Sequence, residues 1–247
     1  MLIQAALNGG RSPREHPALP VTPQQLAGDA AACAGAGAGA VHLHVRGADG
    51  RESLAAEDVA RTLAAIRERA PGLPVGVSTG AWIVTDPEER LRLVGAWEAL
   101  PDYASVNVRE AGAVALMELL LARGIGVEAG VWTAEDAELL AESGLAERCL
   151  RVMLEPMDGE SDAALRNVGR IATALDSAGI RAPRLLHGVN ATAWPVLRTA
   201  LELGWDTRIG LEDALLLPDG TPAPGNAALV AAAVRLASES SNDGRRG

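Results

Sequence analysis

The chain of 247 residues contains no lysine, so all 22 of its basic residues are arginines. Chemistry that needs a lysine amine is therefore excluded. The excluded classes are Schiff-base aldolases, enzymes that attach pyridoxal phosphate, and metal sites bridged by a carbamylated lysine. If the protein is an enzyme, its catalytic groups must come from other residue types.

Aromatic residues and cysteines are also scarce. Phenylalanine is absent and tyrosine occurs once, so the 48% hydrophobic content comes mainly from Ala, Val, Leu and Ile. Cys33 and Cys149 lie far apart in the sequence and have no metal-binding spacing. We expect two reduced, buried thiols and, on that basis, a cytoplasmic protein.

The chain also has no excess of basic charge and no long apolar run. The net charge is −10, which argues against nucleic acid or an anionic membrane surface as the main partner. The sequence has no run of 18 apolar residues and no basic segment before its first apolar run, so we expect neither a membrane span nor a signal peptide. The expected ligand is a small molecule.

Apolar runs of strand length alternate with Ala- and Leu-rich stretches of helical period along nearly the whole chain. Eight such pairs predict an α/β fold, a (β/α)8 TIM barrel formed by one domain over residues 1–238, with a disordered tail over 239–247. A doubly wound sheet is the alternative, but no Gly-x-Gly-x-x-Gly motif follows the first strand. The predicted strands are Leu2–Leu7, Ala40–Arg46, Pro74–Gly80, Tyr103–Val108, Gly126–Trp132, Cys149–Leu154, Arg184–Asn190 and Asp206–Glu212.

Two histidines lie two residues apart on the second predicted strand. His42 and His44 therefore point to the same side of it, while the neighbouring valines and leucine would face the helices. Arg46 has the same phase, so three polar side chains of one strand would point into the barrel interior. Burying them is costly in free energy unless they have partners. We interpret the pair as metal ligands; the alternative is two interior histidines hydrogen-bonded within the barrel.

The third predicted ligand is Glu212, which shares a phase with Arg208 on the last predicted strand. Two imidazoles and one carboxylate occur in catalytic zinc sites, and they also suit other divalent ions. Asp213 follows at the strand end, where it could bend over the barrel mouth and accept a proton beside the metal. Arg208 could orient these carboxylates from beneath. The alternatives are that Glu212 only pairs with an inward arginine and that Asp213 caps a loop or helix.

Further polar residues stand at or near strand ends, where barrel enzymes have their active sites. Ser78 and Thr79 end the third strand, Asn107 ends the fourth and Glu128 lies on the fifth; each is a candidate for substrate binding or an ordinary strand residue. His187 on the seventh strand is either a fourth ligand or a core histidine.

Together these segments resemble the β-keto acid cleavage enzymes, the family that includes the 3-keto-5-aminohexanoate cleavage enzyme. The most specific match pairs the His-x-His-x-Arg strand with the Gly-x-Glu-Asp strand end. The matching segments are residues 19–23, 39–46, 49–51, 77–80, 105–107 and 208–213.

The resemblance implies a zinc-dependent, homotetrameric acyltransferase. Members of the family condense a β-keto acid with acetyl-CoA and cleave the product by a retro-Claisen route, giving acetoacetate and a new acyl-CoA. A β-keto acid can chelate a metal ion through its ketone and carboxylate oxygens, and this chemistry needs no lysine. The implied residues are His42, His44 and Glu212 for zinc, Asp213 and Arg208 for proton handling, and Ser78 and Asn107 for substrate.

Two other functions stay open. A zinc hydrolase of the amidohydrolase type also places His-x-His on a barrel strand, but it would need further histidines on middle strands, and strands five and six have none. A barrel that binds a metal or ligand without catalysis is the second, because residues 155–159 and 190–191 differ from the Gly-rich loop and the Gly-Arg pair of the family.

Overall fold

The computed structural model describes residues 1–243, in which eight parallel strands form a closed barrel in the order β1 to β8. Eight α-helices alternate with them, which confirms the predicted (β/α)8 TIM barrel. The strands are β1 Ile3–Ala6, β2 Ala40–Leu43, β3 Val75–Ser78, β4 Tyr103–Asn107, β5 Gly126–Val131, β6 Arg151–Leu154, β7 Arg184–Leu186 and β8 Asp206–Ile209. The helices are α1 Pro23–Gly35, α2 Ala56–Arg69, α3 Pro87–Gly95, α4 Ala113–Ala122, α5 Ala134–Glu142, α6 Ser161–Ser177, α7 Ala193–Leu203 and α8 Asn226–Asp243.

Helix α8 runs through residues 239–243, the first part of the segment for which we expected a disordered tail. Residues 244–247, the rest of that segment, lie outside the described residues. None of the helices in the described part of the chain has the length and hydropathy needed to cross a bilayer.

Polar side chains fill the barrel interior near the starts of the strands. Tyr103, the first residue of β4, donates a hydrogen bond to the carbonyl of Val41 (2.7 Å) and accepts one from Gln4 (3.0 Å). Its ring occupies the space beside Gly76, where an added Cβ would lie 1.9 Å from the ring. The single tyrosine of the chain therefore packs against a glycine of the neighbouring strand and fills this layer of the barrel.

The same interior layer contains a buried ion pair. Arg151 lies 3.3 Å from Glu128 and 3.4 Å from Asp206, measured between nitrogen and oxygen atoms. Gln4 donates a second hydrogen bond, 2.7 Å long, to the Glu128 carboxylate. These contacts stabilise polar groups that would be costly to bury alone.

Candidate metal centre

The two histidines lie at the end of β2, buried inside the barrel mouth. His42 belongs to the strand, whereas His44 follows it, because β2 ends at Leu43 and not at Arg46 as predicted. Asn8 holds the backbone of His44 beyond the strand end: its amide oxygen accepts from His44 N–H (2.8 Å) and its NH2 group donates to His44 C=O (2.9 Å). The two imidazole rings have centroids 5.5 Å apart and stand nearly perpendicular.

Arg46 has a different role from the inward one expected. Its guanidinium donates hydrogen bonds to the carbonyls of Gly9 and Arg11, the latter 3.0 Å long. The expected alternation fails because the strand has already ended before this residue. Arg46 therefore fastens the turn after β1 to the segment after β2.

Glu212 lies in a turn after β8, since that strand ends at Ile209. Its backbone N–H donates to the carbonyl of Ala6 at the end of β1 (3.3 Å). The prediction that Glu212 belongs to a regular strand was therefore wrong, although the turn leaves its carboxylate beside the histidines. Closure of the barrel between β1 and β8 brings the first and last strands together at this point.

The Glu212 carboxylate faces both imidazoles. Its Oε1 lies 3.4 Å from Nε2 of His44, and its Oε2 lies 3.8 Å from Nε2 of His42. One ligand atom from each of the three side chains falls within 4.8 Å of the other two. Within residues 1–243, the buried Oε2 of Glu212 has no hydrogen-bond partner. Two imidazoles and a carboxylate oxygen that accepts no hydrogen bond are suitable ligands for a divalent cation.

The environment shifts the pKa values of the two histidines in opposite directions. Burial lowers the pKa of His42 to about 3, so its imidazole is neutral. Burial acts in the same direction on His44, but the charge of Glu212 and hydrogen bonds to Glu212 and Glu52 outweigh it and raise the pKa of His44 to about 9. Burial also raises the pKa of Glu212, yet Arg208 and His44 hold it well below its usual value. The metal-free site therefore contains one protonated imidazole beside an ionised carboxylate.

Arg208 connects the two carboxylates after β8. Its Nη2 donates to Glu212 Oε1 (3.0 Å) and Asp213 Oδ1 (2.8 Å), and its Nε donates to Asp213 Oδ2 (3.1 Å). Burial raises the pKa of Asp213, but Arg208 outweighs this effect and lowers it. Asp213 is 0% exposed. Both carboxylate oxygens of Asp213 accept from this guanidinium, and the two-pronged ion pair holds the side chain against Arg208.

His187 lies on the far side of Asp213. Its Nδ1 is 3.5 Å from Asp213 Oδ1 and its Nε2 is 3.8 Å from Oε1 of Glu155. Among the described residues, the group whose ligand atoms lie close enough to share a metal ion consists of His42, His44 and Glu212; we call it the metal group, and His187 is not part of it. The position between two carboxylates matches the alternative of a core histidine and not that of a fourth ligand.

The four predicted substrate-binding residues do not share one location in the barrel. Ser78 is the buried last residue of β3, and the Asn107 amide donates to Glu110 (2.9 Å) at the end of β4. The hydroxyl of Thr79 donates a hydrogen bond to the carbonyl of Ser105 in the barrel wall (2.6 Å). Glu128 is bound by Gln4 and Arg151 in the interior layer described above.

Sequence reasoning missed the contribution of Glu52. Its Oε1 accepts hydrogen bonds from Nδ1 of His44 and from Nε1 of Trp82 (3.1 Å). A signal was present: Asp49-Gly50 is a turn dipeptide, and the turn pairs Arg46 with Glu52 in an antiparallel bridge. Tracing this short hairpin would have placed a carboxylate beside the second histidine.

Comparison with known proteins identifies the family to which this barrel belongs. The family model of the beta-keto acid cleavage enzymes matches residues 1–243, and the chain belongs to this family. Members of the family are enzymes that cleave β-keto acids.

Two relatives have more specific names. The 3-keto-5-aminohexanoate cleavage enzyme of Acetoanaerobium sticklandii is 26% identical over 255 residues, covering 97% of this chain and 92% of the relative. The 3-oxoadipate:acetyl-CoA acetyltransferase of Cupriavidus necator is 28% identical over 264 residues, covering 96% and 88%. Both relatives are thus similar over almost their whole length.

A solved structure shares the fold. ObcA, in a ternary complex with a C4-CoA adduct and oxalate, matches with a TM-score of 0.72 at 18% identity. The match covers 92% of this chain, which spans 65% of the length of ObcA. The similarity at this level of identity concerns the barrel itself.

Proposed function

We propose that this protein transfers an acyl group from a β-keto acid to coenzyme A, using acetyl-CoA as the second substrate and releasing acetoacetate. The observation that carries the proposal is the convergence of His42, His44 and Glu212, which could hold a metal ion, beside the Arg208–Asp213 ion pair. Family membership and a relative named as an acetyl-CoA acetyltransferase support it.

Asp213 is the group we assign to proton transfer. Its carboxylate takes the proton from C2 of the β-keto acid, and the C2 carbanion attacks the acetyl carbonyl, displacing the CoA thiolate. The thiolate then adds to the original ketone, and the bond between C2 and C3 breaks. The acyl group leaves as acyl-CoA, and C2, which now carries the acetyl group, regains the proton from Asp213. Arg208 keeps this carboxylate ionised and fixed between proton transfers.

The cofactor we propose is Zn²⁺, bound by His42, His44 and Glu212. When bound, zinc would act as a Lewis acid that polarises the ketone and carboxylate oxygens of the substrate. The neutral imidazole of His42 offers a lone pair without loss of a proton. Glu212 offers the buried oxygen that lacks a donor among the described residues.

Ser78 and Asn107 are the polar groups we assign to substrate binding. Ser78 ends β3 and Asn107 ends β4, so both stand on the carboxyl edge of the barrel on which the metal group lies. Thr79 and Glu128 have hydrogen bonds in the wall and the interior layer, and we assign them to the structure of the barrel.

The test is acetoacetate formation from acetyl-CoA and a panel of β-keto acids of different chain length and charge. Protein stripped with a chelator and reloaded with one equivalent of zinc should be active, and the stripped protein should be inactive. Zinc-loaded protein that leaves the whole panel unchanged would contradict the proposal. Hydrolysis of amides or cyclic esters by that same inert protein would instead identify a hydrolase.

A further inference from the structure

We propose that Glu52 and Trp82 are positioning residues that orient His44 and set the metal affinity of the site. The inference rests on the metal site of the proposed function. It adds two side chains outside the ligand group and assigns them a measurable effect.

Glu52 fixes which nitrogen of His44 faces the metal position. Because its carboxylate accepts from Nδ1, the Nε2 atom is the one left to face Glu212, at 3.4 Å. An imidazole whose second nitrogen donates to a carboxylate is a more basic and better oriented metal ligand. Glu52 therefore has the position of an outer carboxylate to a metal-binding histidine.

Trp82 completes this arrangement from the mouth of the barrel. Its indole stacks on His44, with ring centroids 6.0 Å apart and planes inclined by 25°. Its Nε1 donates to the same Glu52 oxygen that accepts from His44. The indole thus restrains His44 by contact and restrains Glu52 by a hydrogen bond, so that one side chain limits the movement of both.

Two local features bring these side chains to His44. The turn after β2 closes with hydrogen bonds from Gly47 N–H to Arg51 C=O (2.8 Å) and from Ser53 N–H to Val45 C=O (3.0 Å), which returns Glu52 to the strand end. At residue 80 an added Cβ would lie 2.3 Å from the Trp82 ring, so glycine there provides the space for the indole.

Trp82 is 51% exposed, although it is one of the largest apolar side chains of the chain. Its stacking and hydrogen bond give a reason for a tryptophan at this exposed position. Its place beside a buried ligand also gives it a spectroscopic use. Binding of a metal ion at His44 should change the fluorescence of Trp82 more than that of a distant tryptophan.

The chain offers a matched control pair. Trp132 Nε1 donates to Glu155 Oε2 over the same distance, 3.1 Å, but the histidine near Glu155 is His187, which is not in the metal group. A tryptophan–glutamate pair therefore stands beside a ligand in one case and beside a non-ligand in the other.

The experiment measures zinc affinity by competition with a chromophoric chelator. We expect Glu52→Ala to weaken zinc binding about 10- to 100-fold, Glu52→Gln to restore part of the loss, and Trp82→Phe to weaken binding by less than Glu52→Ala. Glu155→Ala and Trp132→Phe should bind zinc as the wild type does. Wild-type affinity in both Glu52 variants, with binding abolished in His44→Ala, would overturn this inference alone.

Two further readouts separate the possible failures. If His44→Ala binds zinc as tightly as the wild type, the metal site of the proposed function itself is wrong. Circular dichroism melts establish that each variant is folded, and Glu52→Gln replaces Glu52→Ala if the latter is not. The zinc-induced change in tryptophan fluorescence should disappear in Trp82→Phe and persist in Trp132→Phe; the reverse result would contradict the assigned position of the indole.

Discussion

Glu212 and Asp213 are neighbours in the sequence, yet the structure gives their carboxylates different surroundings. Glu212 faces two imidazoles, whereas Asp213 is buried against the guanidinium of Arg208. Side chains that leave the same turn in different directions can serve different steps. We assign metal binding to the first carboxylate and proton transfer to the second.

Replacement of Asp213 by asparagine tests this division of roles. The amide keeps the size of the side chain but cannot take a proton, so kcat/KM for acyl transfer should fall by about 10²- to 10⁴-fold. Zinc content should stay at one ion per chain, because Asp213 is not in the metal group. The measurement pairs steady-state kinetics with metal analysis. Full activity, or loss of the metal, would contradict the assignment.

The protonated state of His44 predicts a pH dependence of metal binding. Its pKa is raised to about 9, so below that pH a metal ion at Nε2 must displace a proton. Apparent zinc affinity should therefore rise about tenfold per pH unit from pH 7 and level off above pH 9. Calorimetry in buffers of different ionisation enthalpy should show release of about one proton per ion. Binding without proton release at pH 7.5 would contradict this prediction.

The residue types of the site were predictable from the sequence, but their contacts were not. His42 and His44 could be identified because two polar residues of one strand phase need a partner. The burial of Asp213 depends on Arg208, which holds both of its oxygens, and no pattern in the sequence expresses that contact. The orientation of Thr79 is likewise set by the carbonyl of Ser105.

At the scale of single elements, the turn after β1 supports the metal group from outside. Gly9 has a left-handed backbone with φ of 54°, and an added Cβ would lie 2.4 Å from Cγ of Glu212. Gly10, the next residue, would place a Cβ no closer than 3.9 Å to a neighbouring side chain. The two glycines therefore form a matched pair for mutation.

Gly9→Ala should displace the Glu212 carboxylate and weaken zinc binding, whereas Gly10→Ala should leave it unchanged. The first substitution forces a side chain into a left-handed backbone and into contact with a ligand. Zinc titration of both variants, with thermal melts to confirm folding, is the measurement. Equal affinities in the two variants would show that this turn does not position Glu212.

Strand ends were the least predictable elements, and the site depends on them. The sequence pattern extends β2 to Arg46 and β8 to Glu212, but the strands end at Leu43 and Ile209. Apolar and polar residues continue to alternate in the sequence after the strand has ended, because turns at a barrel mouth also contain buried residues. Glu52 reaches the site through such a turn, which explains why its role was not predicted.

At the scale of the whole molecule, the barrel places residues from the first and last parts of the chain in one site. The repeated alternation of apolar runs and helical stretches was sufficient to predict this fold. Pairing of β1 with β8 then brings Glu212 to His42, which lies on β2. Packing of the interior was not predictable, because it depends on the pairing of Tyr103 with Gly76 across two strands.

Gly76→Ala tests the interior packing on which the closed barrel depends. The new methyl group would overlap the Tyr103 ring, and we expect a loss of about 3 kcal/mol or more in the free energy of unfolding. Gly169→Ala is the control, since this helix position has open space around it and should gain about 0.5–1 kcal/mol. Urea unfolding measures both. A Gly76→Ala variant as stable as the wild type would contradict the described packing.

X-ray absorption at the zinc edge, on protein reloaded with one equivalent of zinc, tests whether His42, His44 and Glu212 hold the metal ion. We expect two imidazole nitrogens at about 2.0–2.1 Å and oxygen atoms as the remaining ligands. Addition of a β-keto acid should add or replace oxygen scattering. A spectrum with sulfur ligands, or one without imidazole scattering, would contradict a metal held by His42, His44 and Glu212.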